Sequence, residues 1–455
     1  MKGRNLAILA AVVIAVLAYI LLVERHKPTS EEARKEADKV LRDFDRDAVE
    51  AFVIDRDGTR VRLEKVGEEW RLREPIDFPA DSSLVSSTLG SVENLSADRR
   101  LAADEVDPAE YGLDTPVAEL RLEMAGGGER SIVVGDELPL GSKRALRVDD
   151  GSEIVIASGW FVSDLERGVD EWRSRDVIDF LESDIASIDI ESGPDSIRAA
   201  RLDDGWELLM PLRDLADEDH ISGLISDLRA MRIQEFLGDA SDPTELGLDL
   251  PEYELTIIRS DGGEPLRLDL GATREGDSST EVACRRGDDE YFWATGSVRT
   301  RLSKAPVLWR SKKVMPFETW EAEELRVTTP ESSLSLVQDG SIWRFADESE
   351  ADLPKVQERL RALATLEATD YDLMAPMTRE MGNVEVVLEQ DDEEEERPLI
   401  RFDFYAPLEE GGRAMVQVTG RDTVMGVDVG KVEEILGNLE ELRPENEDQS
   451  TADSE

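Results

Sequence analysis

The chain has 455 residues, of which 104 are acidic and 53 are basic, and its formal net charge is −51. A surface this acidic repels nucleic-acid phosphates and anionic lipid headgroups, so the composition argues against nucleic-acid binding. The single cysteine, Cys284, excludes an intrachain disulfide, which fits a bacterial envelope protein stabilised by packing. The acidity could attract a basic partner, but solubility in salty surroundings is the simpler interpretation.

An uncharged apolar run occupies residues 6–23 and contains neither Pro nor Gly. As a helix it would span roughly 27 Å, close to the thickness of the hydrocarbon core of a bilayer. The rival interpretation, a cleavable signal peptide, requires small residues at a cleavage site, and residues 19–24 do not supply them. We therefore predict a transmembrane anchor within residues 1–27, with Lys2 and Arg4 favouring a cytoplasmic N-terminus.

Two polar segments are predicted to lie outside the folded units, and a third is predicted to be a loop within unit 3. Residues 28–43 form a charged linker helix, and residues 444–455 form a disordered acidic tail. The acidic run 391–396 is interpreted as a solvated hairpin tip, because it lacks the spacing of a calcium-binding loop.

In the rest of the chain, four sets of three residues recur with the same spacing, and each set is called a column. The columns are Trp70, Trp206 and Trp343; Phe44, Phe180 and Phe317; Phe52, Ile188 and Leu325; and Ile54, Ile190 and Val327. They define three tandem units, residues 44–179, 180–316 and a divergent 317–443. Units of this size can enclose their own cores.

Each unit shows the same predicted order of elements. Short alternating strands open it, with Asp57-Gly58 as a hairpin turn in unit 1, and a helix capped by Asp81 or Ser82 follows. The apolar helix stripes are Val85, Leu89 and Val92; Ile221, Ile225 and Leu228; and Val356, Leu360 and Leu363. More strands and a second helix, near residues 161–172 in unit 1, complete the unit. The predicted fold class is α+β: a single N-terminal transmembrane helix followed by three tandem repeats, each a mainly antiparallel sheet with two helices.

Two motifs recur in units 1 and 2. The first is a GLDxP turn, whose candidate residues are Gly112, Asp114 and Pro116 in unit 1 and Gly247, Asp249 and Pro251 in unit 2. In unit 3 the turn is lost, and Met381-Gly382 lies near its place. A structural turn and a recognition loop are both consistent with the motif, and its two near-identical copies favour the structural interpretation.

The second motif is a Trp-Arg pair close to the end of a unit, Trp172-Arg173 and Trp309-Arg310. It has three interpretations: core packing, a contact between successive units, or an anchor for a partner. Unit 3 has no Trp-Arg pair. Because unit 3 has no unit after it, we predict that the pairs fix the angles between successive units.

The residues of common active sites are scarce. His26 and His220 are far apart, a histidine at a helix start such as His220 is usually a surface residue, and Cys284 is not near either in sequence. No phosphate-binding loop, dinucleotide fingerprint or nucleophile elbow occurs. We therefore expect no catalytic residues, cofactor or metal site.

Trp70, the Tyr111-to-Pro116 turn and Gly135 together resemble the domain-of-unknown-function 4340 family. The resemblance implies a membrane-anchored bacterial protein, a companion of ABC-type export systems like the auxiliary subunits of gliding motility, without enzymatic activity.

The preferred expectation is therefore a non-enzymatic adaptor in the bacterial inner membrane, with most of the chain in the periplasm or extracytoplasmic space and an ABC-type permease complex among its protein partners. The alternative is a membrane-tethered solute- or polymer-binding protein with a cleft between units. An enzyme of unrecognised class is the third and weakest interpretation.

Overall fold

The computed structural model describes residues 30–444, apart from 103–105, 140, 204, 239–241, 278, 372–376, 378, 390–397 and 408–411. The described residues divide into two compact bodies, of which the first ends at Arg175 and the second begins at Asp176. The first body contains unit 1, and the second contains units 2 and 3.

The predicted fold class is wrong. The described chain is mostly antiparallel sheet, with 45% strand and 22% helix, arranged in three large sheets. No helix among the described residues is long and apolar enough to cross a membrane. The predicted anchor within residues 1–27, the acidic run 391–396 and the tail beyond residue 444 lie outside the described residues.

Each unit has one long helix, and the second predicted helix is replaced by shorter pieces. The helices are α1 (Ser30–Asp38), α2 (Ser82–Glu93), α3 (Val162–Leu165), α4 (Val169–Trp172), α5 (Glu218–Ala230), α6 (Arg299–Leu302), α7 (Leu353–Ala364) and α8 (Val429–Leu436). In unit 1 the extended backbone of Gly168 separates α3 from α4. In unit 2 Pro306 begins a separate 3₁₀ turn, Pro306–Trp309, because proline cannot continue a preceding helix.

The sheets of units 1 and 2 have nine strands in the same spatial order. In unit 1 the strands are β1 (Val49–Arg56), β2 (Thr59–Val66), β3 (Glu69–Glu74), β4 (Phe78–Pro79), β5 (Ala97–Ala102), β6 (Ala118–Met124), β7 (Gly128–Glu137), β8 (Lys143–Val148) and β9 (Glu153–Ser158), in the order β4-β3-β2-β1-β6-β7-β8-β9-β5. In unit 2 they are β10 (Ile185–Ser192), β11 (Asp195–Leu202), β12 (Gly205–Met210), β13 (Asp214–Leu215), β14 (Ile233–Leu237), β15 (Tyr253–Arg259), β16 (Leu266–Glu275), β17 (Thr280–Arg286) and β18 (Glu290–Thr295), in the order β13-β12-β11-β10-β15-β16-β17-β18-β14.

Unit 3 has the same arrangement with eight strands. They are β19 (Ala322–Thr328), β20 (Ser333–Asp339), β21 (Ile342–Phe345), β22 (Asp370–Tyr371), β23 (Glu380–Leu388), β24 (Leu399–Tyr405), β25 (Ala414–Val418) and β26 (Met425–Val427), in the order β21-β20-β19-β23-β24-β25-β26-β22. Among the described residues, unit 3 has no counterpart of β4 and β13, the short strands that follow the third strand of units 1 and 2.

Local sequence signals explain the start of each sheet. The Asp57-Gly58 hairpin is confirmed, because both residues have positive φ and Arg56 pairs with Thr59 across β1 and β2. The long helices begin at Asp81, Asp217 and Asp352, whose side chains accept hydrogen bonds from the backbone three residues later. The three predicted helix stripes are buried, so each helix covers one face of its sheet.

The segment that leads into each unit is part of its core. Val40 and Leu41 are buried in the core of unit 1, although both belong to the predicted linker, and Val177 and Val314 are buried at the start of units 2 and 3. The backbone N–H of Val40 donates to Leu95 at 2.7 Å, and that of Val314 donates to Leu366 at 2.8 Å. The folded part of unit 1 therefore begins before residue 44.

Candidate functional site

The end of every unit closes onto the start of its long helix. The backbone N–H groups of the helix caps Asp81, Asp217 and Asp352 donate to the carbonyls of Trp172, Trp309 and Leu442, at 2.9, 2.8 and 2.8 Å. The arginines that follow these carbonyls, Arg173, Arg310 and Arg443, have nearly the same extended backbone, with ψ of 141°, 140° and 139°. Unit 3, which lacks a Trp-Arg pair in sequence, therefore places Leu442-Arg443 at the equivalent backbone position.

The first residue of each pair fills the core of its own unit. The Trp172 side chain is fully buried and lies edge-on against Phe52, with 5.7 Å between ring centroids. Trp309 is equally buried and lies edge-on against His220 at 4.3 Å. Leu442 is buried in the same way in unit 3. The apolar member of the motif is thus a packing residue.

The arginines of units 1 and 3 each lie over an aromatic ring of their own unit. The Arg173 guanidinium lies 4.2 Å from the centroid of the Phe78 ring and is 3.1 Å from the Asp170 carboxylate. The Arg443 guanidinium lies 4.2 Å from the centroid of Phe345 and pairs with an exposed aspartate, Asp347, at 3.1 Å. Both make the cation–π contact expected of an arginine beside an aromatic ring.

Arg310 is different because it is buried and contacts an interior carboxylate. Its Nε donates to the Asp214 carboxylate at 2.5 Å, and its Nη2 donates to Thr423 at 2.5 Å. Its guanidinium lies 3.8 Å from the centroid of the Tyr371 ring, which belongs to unit 3. Burial raises the pKa of the Tyr371 phenol, whose hydroxyl donates to the Ser311 carbonyl at 2.6 Å.

A second buried arginine, Arg421, completes this contact between units 2 and 3. Its Nε donates to the other Asp214 oxygen at 2.6 Å, and its Nη1 donates to the carbonyls of Lys313 and Val314 at 2.6 and 2.7 Å. The Asp214 side chain has no exposed surface. We call Asp214, Arg310, Tyr371, Arg421 and Thr423 the Asp214 joint. A buried carboxylate and two buried guanidinium groups are tolerated only when each charged group has an opposite charge and hydrogen-bond partners beside it.

The first body has an apolar residue where the second has Asp214. Ser174 donates to the Pro79 carbonyl at 2.8 Å, and Ser311 donates to the Leu215 carbonyl at 2.8 Å. The residue before each acceptor is Phe78 in unit 1 and Asp214 in unit 2. The same backbone position therefore carries a cation–π contact in one unit and a buried ion pair in the other.

Sequence reasoning missed Asp214, Arg421 and a related arginine, Arg286. Arg286 donates to the carbonyls of Asp176 and Val177 at 3.1 and 2.8 Å, which is the same contact that Arg421 makes with the start of unit 3. The one available signal was Asp214 itself, a charged residue aligned with Phe78.

The tryptophan column lies inside the cores, on β3, β12 and β21. Trp70, Trp206 and Trp343 are all buried. Trp70 contacts the Phe52 ring at 5.7 Å between centroids. These residues support the sheets and are not exposed to a partner.

The GLDxP turns cover a small second cluster of apolar residues in their units. Gly112 and Gly247 adopt positive φ, and the leucines that follow them, Leu113 and Leu248, are buried in these clusters. A Cβ at Gly135 would collide with the carbonyl of Tyr111, so a strand glycine is required beneath the turn.

The remaining candidate residues of these turns lie near the surface. Asp114, Pro116 and Asp249 are exposed, and Pro251 is partly exposed. Asp249 accepts from the Thr244 hydroxyl at 2.6 Å. In unit 3, Gly382 lies within β23 and forms no comparable turn.

His220 and Cys284 are both buried. Burial lowers the pKa of His220 to about 4, assisted by the positive charges of Lys304 and Arg301. The Lys304 ammonium lies 3.4 Å from His220 Nδ1. Burial raises the pKa of the Cys284 thiol, so it stays protonated. Within the described residues no group of three or more His, Cys, Asp or Glu side chains could hold a metal ion.

These observations define a tandem-repeat protein of large antiparallel sheets whose units close on a shared backbone contact. Residues 70–251 match the model of a family described as a domain of unknown function (DUF4340). The resemblance predicted from Trp70, the first GLDxP turn and Gly135 is thereby confirmed. The match begins at Trp70 in unit 1 and ends at Pro251 in unit 2. No curated protein matches the chain.

Proposed function

We propose that the protein is a non-enzymatic adaptor at the bacterial inner membrane, with its sheets outside the cytoplasm, and that it is an accessory subunit of an ABC-type export or surface-assembly system. The apolar run 6–23 and the resemblance to the DUF4340 family motivate the location and the partner class. The acidic surface suits a soluble extracytoplasmic region.

The observation that carries the adaptor proposal is the Asp214 joint. Burying three charged side chains costs several kcal/mol per ion before their attraction is counted, so the contact favours a fixed geometry over maximal stability. A fixed arrangement of units 2 and 3 serves a protein that positions other proteins. Both oxygens of the Asp214 carboxylate accept from these guanidinium groups, which suits a structural role for this side chain.

Affinity purification tests the proposal. The full chain, tagged at its C-terminus, is purified from detergent-solubilised membranes, and the bound proteins are identified by mass spectrometry. We expect an ATPase and a permease of an ABC-type system to co-purify. Asp214→Ala should reduce their recovery, whereas Arg213→Ala, a change at the exposed neighbouring side chain, should not. Recovery of no membrane protein with any of the three chains would contradict the proposal.

The location has its own test. Alkaline phosphatase fused after Glu455 is active only outside the reducing cytoplasm. We expect an active fusion in the membrane fraction. An inactive fusion, or a mature protein that begins near residue 24, would refute the proposed arrangement.

A second candidate function, binding of a small solute, is favoured by one observation. Unit 3 contains a groove with a buried arginine, one of whose nitrogens has no hydrogen-bond partner in the described part of the chain.

A further inference from the structure

A groove of about 270 Å³ lies in unit 3 between α7, α8 and the 3₁₀ turn Leu439–Leu442. The residues whose charges or amides face it include Lys355, Glu358, Arg359, Glu433, Asn438 and Glu441. All of them belong to the second body, and the groove is separate from the Asp214 joint.

Arg359 is the unusual residue of this groove. It is on the buried side of α7 with Val356, Leu360 and Leu363, and it is only 8% exposed. Its Nη1 is enclosed and has no hydrogen-bond partner among the described residues. Burial lowers the pKa of its guanidinium, while the negative charges of Glu441 and Glu358 act in the opposite direction. A buried guanidinium nitrogen without a hydrogen-bond partner is costly, and an anionic group of a ligand would offset that cost.

The other units have no such cation at this position. The seventh residue after the helix cap is Thr88 in unit 1, Leu224 in unit 2 and Arg359 in unit 3, and all three are buried. Unit 2 also has an arginine between its two helices, but Arg301 pairs with Asp227 at 2.7 Å. In unit 3, Arg359 lines the groove, and its Nη1 has no hydrogen-bond partner among the described residues.

The rim of the groove is acidic. Glu358 and Glu433 line it, and Glu441 accepts from the Asn438 amide at 3.2 Å. A ligand that carries only negative charge would be repelled by these carboxylates, and a ligand that carries only positive charge would meet Arg359. A ligand with both charges a short distance apart matches both.

We propose that this groove binds a small zwitterion of the α-amino acid class, with its carboxylate on Arg359 and its ammonium group on the rim glutamates. The volume fits an amino acid or a dipeptide and is at the lower end of ligand pockets, which begin near roughly 300 Å³. The binding site lies within unit 3, whereas the alternative function places a cleft between units. It does not depend on the adaptor function, because its residues are separate from the joint.

Titration calorimetry on the purified full chain tests this site with a panel of the twenty amino acids and glycylglycine. We expect saturable binding of at least one of them, and none of acetate or methylamine at the same concentration, because each carries only one of the two charges. Absence of binding by the whole panel would overturn the proposal. Equal binding of acetate would also overturn it, since the groove would then be a simple anion site.

Two variants locate the ligand. Arg359→Leu places in α7 the residue that unit 2 has at the equivalent position, so the fold should be retained, and binding should weaken by at least about tenfold. Arg361→Leu, an exposed arginine of the same helix, should leave affinity within about twofold. Unchanged affinity in the first variant would count against the site. If that variant fails to fold, Glu433→Gln on the exposed rim should still weaken binding, and its failure to do so would overturn the ammonium contact.

Discussion

Unit 1 and the contact between units 2 and 3 use one backbone arrangement for two kinds of interaction. In both, the carbonyl of the last turn accepts a hydrogen bond from the N–H of the helix cap, and the arginine that follows has the same extended backbone. In unit 1 that arginine lies over Phe78, whereas in the second body it meets Asp214 and is buried. A repeat can therefore keep its backbone arrangement while the residue at one position is an aromatic ring in one unit and a buried carboxylate in another.

The largest loss of unfolding free energy is expected for Asp214→Ala. The change leaves Arg310 and Arg421 buried without their carboxylate, which should cost roughly 3–5 kcal/mol. Urea unfolding followed by tryptophan fluorescence should show units 2 and 3 unfolding in separate steps, and amide exchange near Val314 should rise. The control is Arg213→Ala, whose pair with Glu207 is exposed on the arginine side and should contribute less than about 1 kcal/mol.

A combined variant sharpens this result. Replacing Asp214, Arg310 and Arg421 together by Leu, Met and Met removes all three buried charges and should recover most of the lost stability. If the combined variant is as unstable as Asp214→Ala, the cost lies in packing and not in the uncompensated arginine charges.

The next largest effect is a pH dependence of the unfolding free energy, which is expected from His220 in unit 2 and not from the equivalent residue of unit 1. His220 follows its helix cap by three residues and packs on Trp309, whereas Leu84 occupies that position in unit 1. Its folded pKa of about 4 is below the ordinary histidine value of 6.5, so the unfolded state binds more protons between these values. The contribution of His220 to unfolding free energy is therefore complete above pH 6.5 and declines as pH falls toward 4, by up to about 3 kcal/mol.

His220→Leu tests this dependence without changing the rest of the acidic chain. The difference in unfolding free energy between the variant and the natural protein should grow in favour of the variant from pH 7 to pH 4.5, measured by urea unfolding. A difference that stays constant over this interval would show that His220 is not buried in its neutral form.

A smaller effect than that of Arg310→Ala is expected for Arg173→Ala in unit 1, because its ion-pair partner Asp170 is exposed whereas Asp214 is fully buried. An ion pair with an exposed carboxylate contributes about 1 kcal/mol or less. Thermal unfolding of the full chain should show a small decrease for this variant and a much larger one for Arg310→Ala. Equal losses of thermal stability in the two variants would show that the contacts of Arg173 and Arg310 do not differ in strength.

Residues close in sequence were the easiest to predict. The Asp57-Gly58 hairpin, the cap at Asp81 and the buried helix stripes follow from turn chemistry and from a period of 3.6 residues, which act within a few positions. The tryptophan column was recognisable because a repeated fold needs the same large side chain at the same strand position. The second helix near residues 161–172 was wrong, because Gly168 interrupts a pattern that is too short to continue beyond it.

The hairpins and long helices were predictable because they depend on residues close together in the chain, and the three-fold repetition was predictable because equivalent residues recur at a constant spacing. Only the folded chain shows which arginine is buried, that Leu442-Arg443 occupies the position of a Trp-Arg pair, and that His220 is interior. Asp214 and Arg421 are 207 residues apart, and no local period relates them. Burial and ion pairing depend on which surfaces meet after folding. The role of Asp214 can therefore be recognised only when the two arginines are seen beside it.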